Sequence, residues 1–223
     1  MAIEPTAVLF SAGLDSAVLA AAEARNGRVH PIYVSCGLAW ETQELEAVDR
    51  LLATPAFDGV SPIARLTFPA RDLYPATHWA LTGNPPAFDT PDEDVYLAGR
   101  NVMLLSKAAI HCARQSVHRI ALATLSNNPF PDATPEFFAA LSRALSLGLN
   151  HEIEVATPFA TLHKEDVVKL GVELGVPLEV TLSCMNPRAG KHCGLCSKCR
   201  ERRDAFHEAG VEDRTPYAVA PIR

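Results

Sequence analysis

The sequence predicts an α/β domain, a doubly wound and mostly parallel sheet of five strands, followed by a small C-terminal helical region bearing a cysteine cluster. Three observations predict it. Short apolar runs alternate with stretches of helical length, the pattern of parallel strands joined by crossover helices. A loop of small and hydroxyl residues, Ser11-Ala12-Gly13-Leu14-Asp15-Ser16, lies between the first apolar run and the first helical stretch. Four of the six cysteines crowd into residues 184–199.

The elements follow in order. Ala7-Val8-Leu9-Phe10 is continuously apolar, as a strand buried on both faces must be. Ser16 to Arg25 is rich in Ala and Leu, without Pro or Gly, and favours helix. Val29 to Cys36 reads as the second strand, Glu41 to Ala53 as a helix stopped by Pro55, and Ile63 to Phe68 as the third strand. Residues 69–98 then change character, with Pro69, Pro75, Pro85, Pro86 and Pro91 and an acidic run from Asp89 to Asp94. Such a stretch is either a functional lid or a surface insertion. Asn101 to Arg114 is helix-like, and Arg119 to Leu125 is the fourth strand. Thr134 and Pro135 form an N-cap and first helical position for a helix reaching about Leu147. Ile153 to Ala156 is a short fifth strand, and His163 to Leu174 a helix closed by Gly175 and Pro177.

Composition narrows the function classes. The 223 residues are 48% hydrophobic and 21% charged, ordinary for a globular domain. Twenty basic residues against twenty-six acidic ones give a net charge of −6, which argues against stable nucleic-acid binding and for a small-molecule substrate. No apolar run is long enough to span a membrane. Met1-Ala2-Ile3-Glu4-Pro5 lacks the features of a secretion signal, and the cysteines are too few for a disulfide framework, so a cytoplasmic location is expected.

The loop after the first strand carries the chemistry. In such a sheet, ligands sit beyond the carboxyl ends of the strands. Small residues let the backbone approach a phosphate chain, and the helix start aims free N–H groups at it. Ser11 and Ser16 add hydroxyl donors, and Asp15 is placed to hold Mg²⁺ or orient phosphates. No Gly-Lys-Ser/Thr follows, so this is not a Walker A loop. The plain alternative is a helix start capped by Asp15 or Ser16.

Cys184, Cys193, Cys196 and Cys199 are spaced Cys-x8-Cys-x2-Cys-x2-Cys. Four thiolates close a tetrahedral zinc site and leave no open catalytic position. An iron–sulfur cluster is the competing use. Arg188, Lys191, Lys198, Arg200, Arg202 and Arg203 lie close by, as an electrostatic complement to the thiolates, as contacts for ATP or a nucleic acid, or as solvated charges. Cys36 and Cys112 read as buried apolar residues, with Cys36 at the end of the second strand near the expected site.

Loop and cysteine cluster together resemble the 7-cyano-7-deazaguanine synthase family (QueC/ExsB-like) of PP-loop ATP-pyrophosphatases, whose loop reads Ser-Gly-Gly-x-Asp-Ser. Gly99-Arg100-Asn101, Thr157-Pro158 with Lys164, Leu170 to Pro177, Thr181 to Cys184 and Cys193 to Arg202 follow in collinear order over essentially the whole chain. The resemblance implies an adenine nucleotide alpha hydrolase-like, Rossmann-like fold, with a PP-loop ATP-binding domain over residues 1–178 and a zinc-binding region over 179–223. It implies an ATP-dependent ligase that activates the carboxylate of 7-carboxy-7-deazaguanine and converts it with ammonia to the nitrile, with one structural zinc per chain and a homodimeric assembly. Ser11, Ala12, Gly13, Leu14, Asp15 and Ser16 are then the ATP-binding residues. Asp15, Arg100 and Lys164 are the catalytic candidates, with ATP taken as its Mg²⁺ complex.

Two departures bear on the substrate. The family's Tyr-Gly-Gln-x-His after strand two is Cys36-Gly37-Leu38-Ala39-Trp40 here. The loop after strand four, Asp-x-Ser-Gly-Tyr-Pro-Asp-Cys-Arg in the family, is Asn127-Asn128-Pro129-Phe130-Pro131-Asp132-Ala133-Thr134. Phe130 is the candidate for stacking on a purine-like ring, and Asp132 for accepting from its amino edge. The alternatives are the same adenylation applied to another deazapurine-like acid or in macromolecule modification, and a tRNA sulfur-transferase with an iron–sulfur cluster.

Overall fold

Adjacent residues of the inner strands enter different cores, and this alternation builds a sheet covered on both faces. A computed structural model describes residues 4–126 and 128–219, apart from the Asp92 side chain. The N-terminal reading at Met1 to Ile3 and the loop position Asn127 lie outside the described residues. The sheet has five strands: β1 (Thr6–Leu9), β2 (Val29–Ser35), β3 (Ala64–Thr67), β4 (Arg119–Ala121) and β5 (Glu154–Ala156). Their order is β3-β2-β1-β4-β5, and every pairing is parallel.

Val8, Tyr33 and Ala121 join one core with α1 (Leu14–Ala24), α2 (Glu41–Leu52) and α6 (Lys164–Glu173). Ala7, Ile32, Val34 and Ile120 join the other, with α4 (Arg100–Arg114) and α5 (Pro135–Leu149). Helices therefore wind over both faces, and the chain reverses direction between β1 and β4. That reversal opens a crevice beyond the carboxyl ends of the two strands.

Local sequence sets the boundaries. Thr134 Oγ1 accepts from Phe137 N at 3.1 Å, so Thr134 caps α5 with Pro135 at its first position, and the helix runs to Leu149. Gly99, at φ 76°, turns the chain sharply into α4. The Pro-rich excursion 69–98 holds the one-turn α3 (Trp79–Thr82) and docks on the C-terminal helix α7 (Ser197–Ala209). Ala87 bridges to Cys196, and Arg200 donates to the carbonyls of Phe88 at 2.8 Å and Thr90 at 3.2 Å. Among the described residues no helix is long and apolar enough to cross a membrane.

The tail shares the first core through Leu182, Cys184, Ala205 and Phe206. Arg202, at 1% exposure, binds it together. Its guanidinium donates to Leu178 O at 2.6 Å, Thr215 Oγ1 at 2.7 Å, Thr181 Oγ1 at 2.8 Å and Ser183 Oγ at 3.2 Å. A buried cation saturated in this way is a structural hub.

Candidate active site

The loop from Ser11 to Ser16 is held by hydrogen bonds among its own residues. Ser16 Oγ donates to Gly13 O at 3.1 Å and accepts from Ser11 N at 3.3 Å, while Ser11 Oγ accepts from Gly13 N at 3.3 Å. Gly13, in extended geometry, precedes α1 with no side-chain cap, so the N–H groups of the first turn face the crevice. The capping alternative for Asp15 and Ser16 is therefore not what the loop adopts. A Cβ on Gly13 would stand 3.3 Å from Ser11 Oγ and crowd this ring. Ala12 takes a left-handed φ of 60°, and its carbonyl accepts from Leu182 N at 2.8 Å. The methyl that replaces a glycine hydrogen is accommodated, fully buried, at a steric cost of about 1 kcal/mol.

Three helix starts converge on this loop. Asp15, in the first turn of α1, pairs through Oδ2 with Lys164 Nζ at 2.5 Å. Lys164 opens α6 and also meets Glu201 Oε1 of α7 at 2.9 Å, and Glu201 in turn pairs with Lys198. Burial works against the Lys164 ammonium, but Asp15 and Glu201 outweigh it and hold its pKa above the ordinary lysine value. Burial would likewise raise the Glu201 carboxyl, yet Lys164 and Lys198 pull it down to about 2. Two buried atoms here have no hydrogen-bond partner, Asp15 Oδ1 and Arg100 Nε. Orphaned polar atoms of opposite sign beside an open phosphate-type loop are what a metal–nucleotide complex would satisfy.

Two adjoining cavities occupy the crevice. The larger, of about 610 Å³, is lined by Ser11, Asp15, Lys164, Trp40, Trp79 and Arg200 among others. The smaller, of about 320 Å³, is lined by Tyr33, Arg100, Asn101, Phe130 and Asp132. Asp15, Glu44, Arg100 and Phe130 border both, so the cavities are continuous across a shared wall.

Each sequence-based candidate has a place around them. Phe130 stacks on Tyr96 with ring centres 5.2 Å apart. Asp132 Oδ2 accepts from Asn101 N at 3.0 Å, and its carbonyl accepts from Asn101 Nδ2 at 2.8 Å, fixing the start of α4 behind Arg100. Burial pushes its carboxyl up. Sequence reasoning missed Glu201, hidden in a charged run, and Glu44, hidden in an amphipathic helix. It also missed the stacking of Trp40 on Trp79, 5.7 Å between centres, which brings together residues far apart in the chain.

The four cysteines of the tail are buried, and their sulfurs lie within 4.8 Å of one another. Cys184 and Cys196 are 4.0 Å apart, Cys193 and Cys199 3.9 Å, and Cys196 and Cys199 3.5 Å. These separations are far beyond a disulfide bond and bracket the ~3.8 Å edge of a tetrahedron of thiolates around one ion. Backbone N–H groups of Asn186, Cys193 and Leu195 point at the sulfurs from 3.2 to 3.3 Å. The cluster can hold a metal ion. The neighbouring basic residues disperse: Arg202 is buried, Lys198 serves Glu201, Arg200 holds the excursion, and Arg203 lies over the Phe88 ring.

Known proteins are similar to this chain. Residues 6–210 match the family model described as queuosine biosynthesis protein QueC. A 7-cyano-7-deazaguanine synthase of Methanopyrus kandleri is 35% identical over 95% of this chain and 98% of its own. One of Methanothrix thermoacetophila is 34% identical over 94% and 96%. Among solved structures, the U34-tRNA thiolase NcsA of Methanococcus maripaludis, determined with its 4Fe-4S cluster, has a TM-score of 0.52 at 13% identity. It covers 96% of this chain and 76% of its own, a likeness of fold alone. With a family match across nearly its whole length and relatives above 30% identity over at least 94% of the chain, the chain belongs to the QueC family.

Proposed function

We propose that this protein is an ATP-dependent carbon–nitrogen ligase that converts 7-carboxy-7-deazaguanine and ammonia to 7-cyano-7-deazaguanine. The observation that carries the reading is the continuous crevice from the open start of α1, past the unpartnered Asp15 Oδ1 and Arg100 Nε, into a second chamber walled by an aromatic pair. The larger cavity takes ATP, with its phosphates on residues Ser11 to Ser16 and Mg²⁺ on Asp15. The smaller takes the heterocyclic acid, with Phe130 as a stacking platform.

A carboxylate oxygen is a poor leaving group. Attack of that oxygen on the α-phosphorus of ATP expels pyrophosphate and leaves an acyl adenylate. Ammonia then displaces AMP to give the amide, and a second activation with loss of the oxygen gives the nitrile. Arg100 and Lys164 lie where they can neutralise charge developing on the phosphates. Asp132 supports Arg100 through the start of α4. Residues 1–178 form the ATP-binding unit, 69–98 act as a lid over it, and 179–223 form the metal-binding unit. The protein works as a homodimer.

For the metal we propose one structural zinc. Four sulfurs within 4.8 Å of one another suit a single ion, whereas the thiolates of a four-iron cluster stand on separate irons. The same spacing weighs against a thiolation reading, as does Cys36, which is buried with its thiol pushed up by that burial. Incubation with ATP, 7-carboxy-7-deazaguanine and ammonium, followed by mass analysis, tests the reading. Nitrile with AMP and pyrophosphate is expected; absence of any deazapurine product would refute it.

A further inference from the structure

Two buried glutamates lie on one helix and do different work. Glu41 closes the turn after β2: Oε1 accepts from Cys36 N at 2.7 Å, and Oε2 from Ser35 Oγ at 2.6 Å and Gly37 N at 3.0 Å. Both of its oxygens therefore serve the fold. Glu44, one turn later and 8% exposed, has no such task. Its Oε2 accepts from the Tyr33 hydroxyl at 2.9 Å, and its side chain borders both cavities. Arg100, with its unpartnered Nε, borders the same two cavities. A buried carboxyl group costs stability unless hydrogen-bond donors use it, and here the cavity it borders can supply them.

Of the other acids on the smaller cavity, Glu41 closes the turn after β2, Asp15 pairs with Lys164, and Asp132 is tied to the start of α4, its Oδ2 accepting from Asn101 N and its carbonyl from Asn101 Nδ2. We propose that Glu44 reads the amino-pyrimidinone edge of the substrate, accepting its ring N–H and exocyclic amino protons, while Arg100 faces the acidic substituent. The assignment rests on the function proposed above. A planar ring with donors at one end and an anion at the other matches a chamber with a carboxyl group, an aromatic pair and a guanidinium on its walls. Tyr33 leaves lone pairs of the carboxyl group available, because a carboxylate offers about four acceptor positions. Trp40, one turn before Glu44 on the chain and bordering the larger cavity with it, stands where the family pattern has His.

The test compares 7-carboxy-7-deazaguanine with its analogue lacking the exocyclic amino group. Wild type is expected to favour the full acid by about 10- to 100-fold in kcat/KM, the range for losing a donor to a buried charged acceptor. Glu44→Gln should raise KM for the full acid about 10-fold or more, leave KM for ATP within about twofold, and largely erase the preference. Asp132→Asn, acting through α4, should leave the ratio of the two acids unchanged. Glu44→Asp, with the charge kept but withdrawn, should fall between and covers the case in which the amide variant does not fold. Equal use of the two acids by wild type, or an undiminished preference in folded Glu44 variants, would overturn the assignment while the ligase reading stands. No binding or turnover of the full acid by wild type would overturn both.

Discussion

Burial holds the Glu44 carboxyl up at about 7, against an ordinary value of 4.5, with Arg100, Tyr33 and Trp40 offsetting only part of that cost. Between pH 4.5 and 7 the folded protein keeps a proton that the unfolded chain has lost. Stability contributed by the protonated form is therefore present below 4.5 and drains away as pH rises through 7. The full penalty is on the order of 3 kcal/mol. Glu44→Gln, which cannot ionise but can still accept from Tyr33, should stabilise the fold, and its advantage should grow by about 2 to 3 kcal/mol from pH 5 to pH 8. Urea denaturation of both proteins at the two pH values measures this; a gain independent of pH would show that Glu44 does not titrate as described. Lys164 poses the converse case, a cation fixed by two carboxylates. Lys164→Ala should lower kcat/KM by about 100-fold or more if it neutralises phosphate charge. Glu201→Gln should mainly raise KM for ATP, because it holds Lys164 without touching the loop; steady-state kinetics separates the two.

Elements were legible in proportion to how local their causes are. The apolar run at Ala7 to Phe10, the Thr134-Pro135 start of α5 and the Gly175-Pro177 stop after α6 are written in adjacent residues, and each appears where expected. The loop Ser11 to Ser16 was readable for the same reason: its hydroxyls and glycine close on one another within six residues. The docking of residues 69–98 was not, because it depends on Arg200 reaching carbonyls more than a hundred positions away. Nor could Glu44 be told from any other helix glutamate until Tyr33 and the cavities stood beside it. The docking has a consequence at this scale. Trp79, Val95 and Leu97 line the larger cavity, so the excursion forms part of its wall, the proposed roof. Arg200→Ala removes both carbonyl contacts and should loosen that roof. Faster proteolysis within 69–98 and a several-fold rise in KM for the acid are expected, with little change in melting temperature. Unchanged cleavage would mean that other contacts hold the segment.

At the scale of the molecule, the cysteine cluster and the loop Ser11 to Ser16, the proposed ATP site, are joined by two short routes. Cys184 follows two residues after Leu182, whose N–H holds the carbonyl of Ala12. Cys196 precedes α7, which presents Glu201 to Lys164 and through it to Asp15. Four buried thiolates repel one another without a cation among them, so the proposed ion would hold the tail in this shape. Loss of the ion should thus be felt at the phosphate loop as well as in the tail. Purified protein should be colourless and carry about one zinc per chain, as the four closing sulfurs require. Cys199→Ser, or exhaustive chelation, should lower the melting temperature by at least about 5 °C and weaken ATP binding, and zinc should restore both after chelation. Elemental analysis, thermal melts and nucleotide titration follow the three quantities together. If the metal left and the tail melted while ATP affinity stayed constant, the two routes would be structural neighbours without coupling. A parallel fall of stability and affinity would make the tail part of the ATP site.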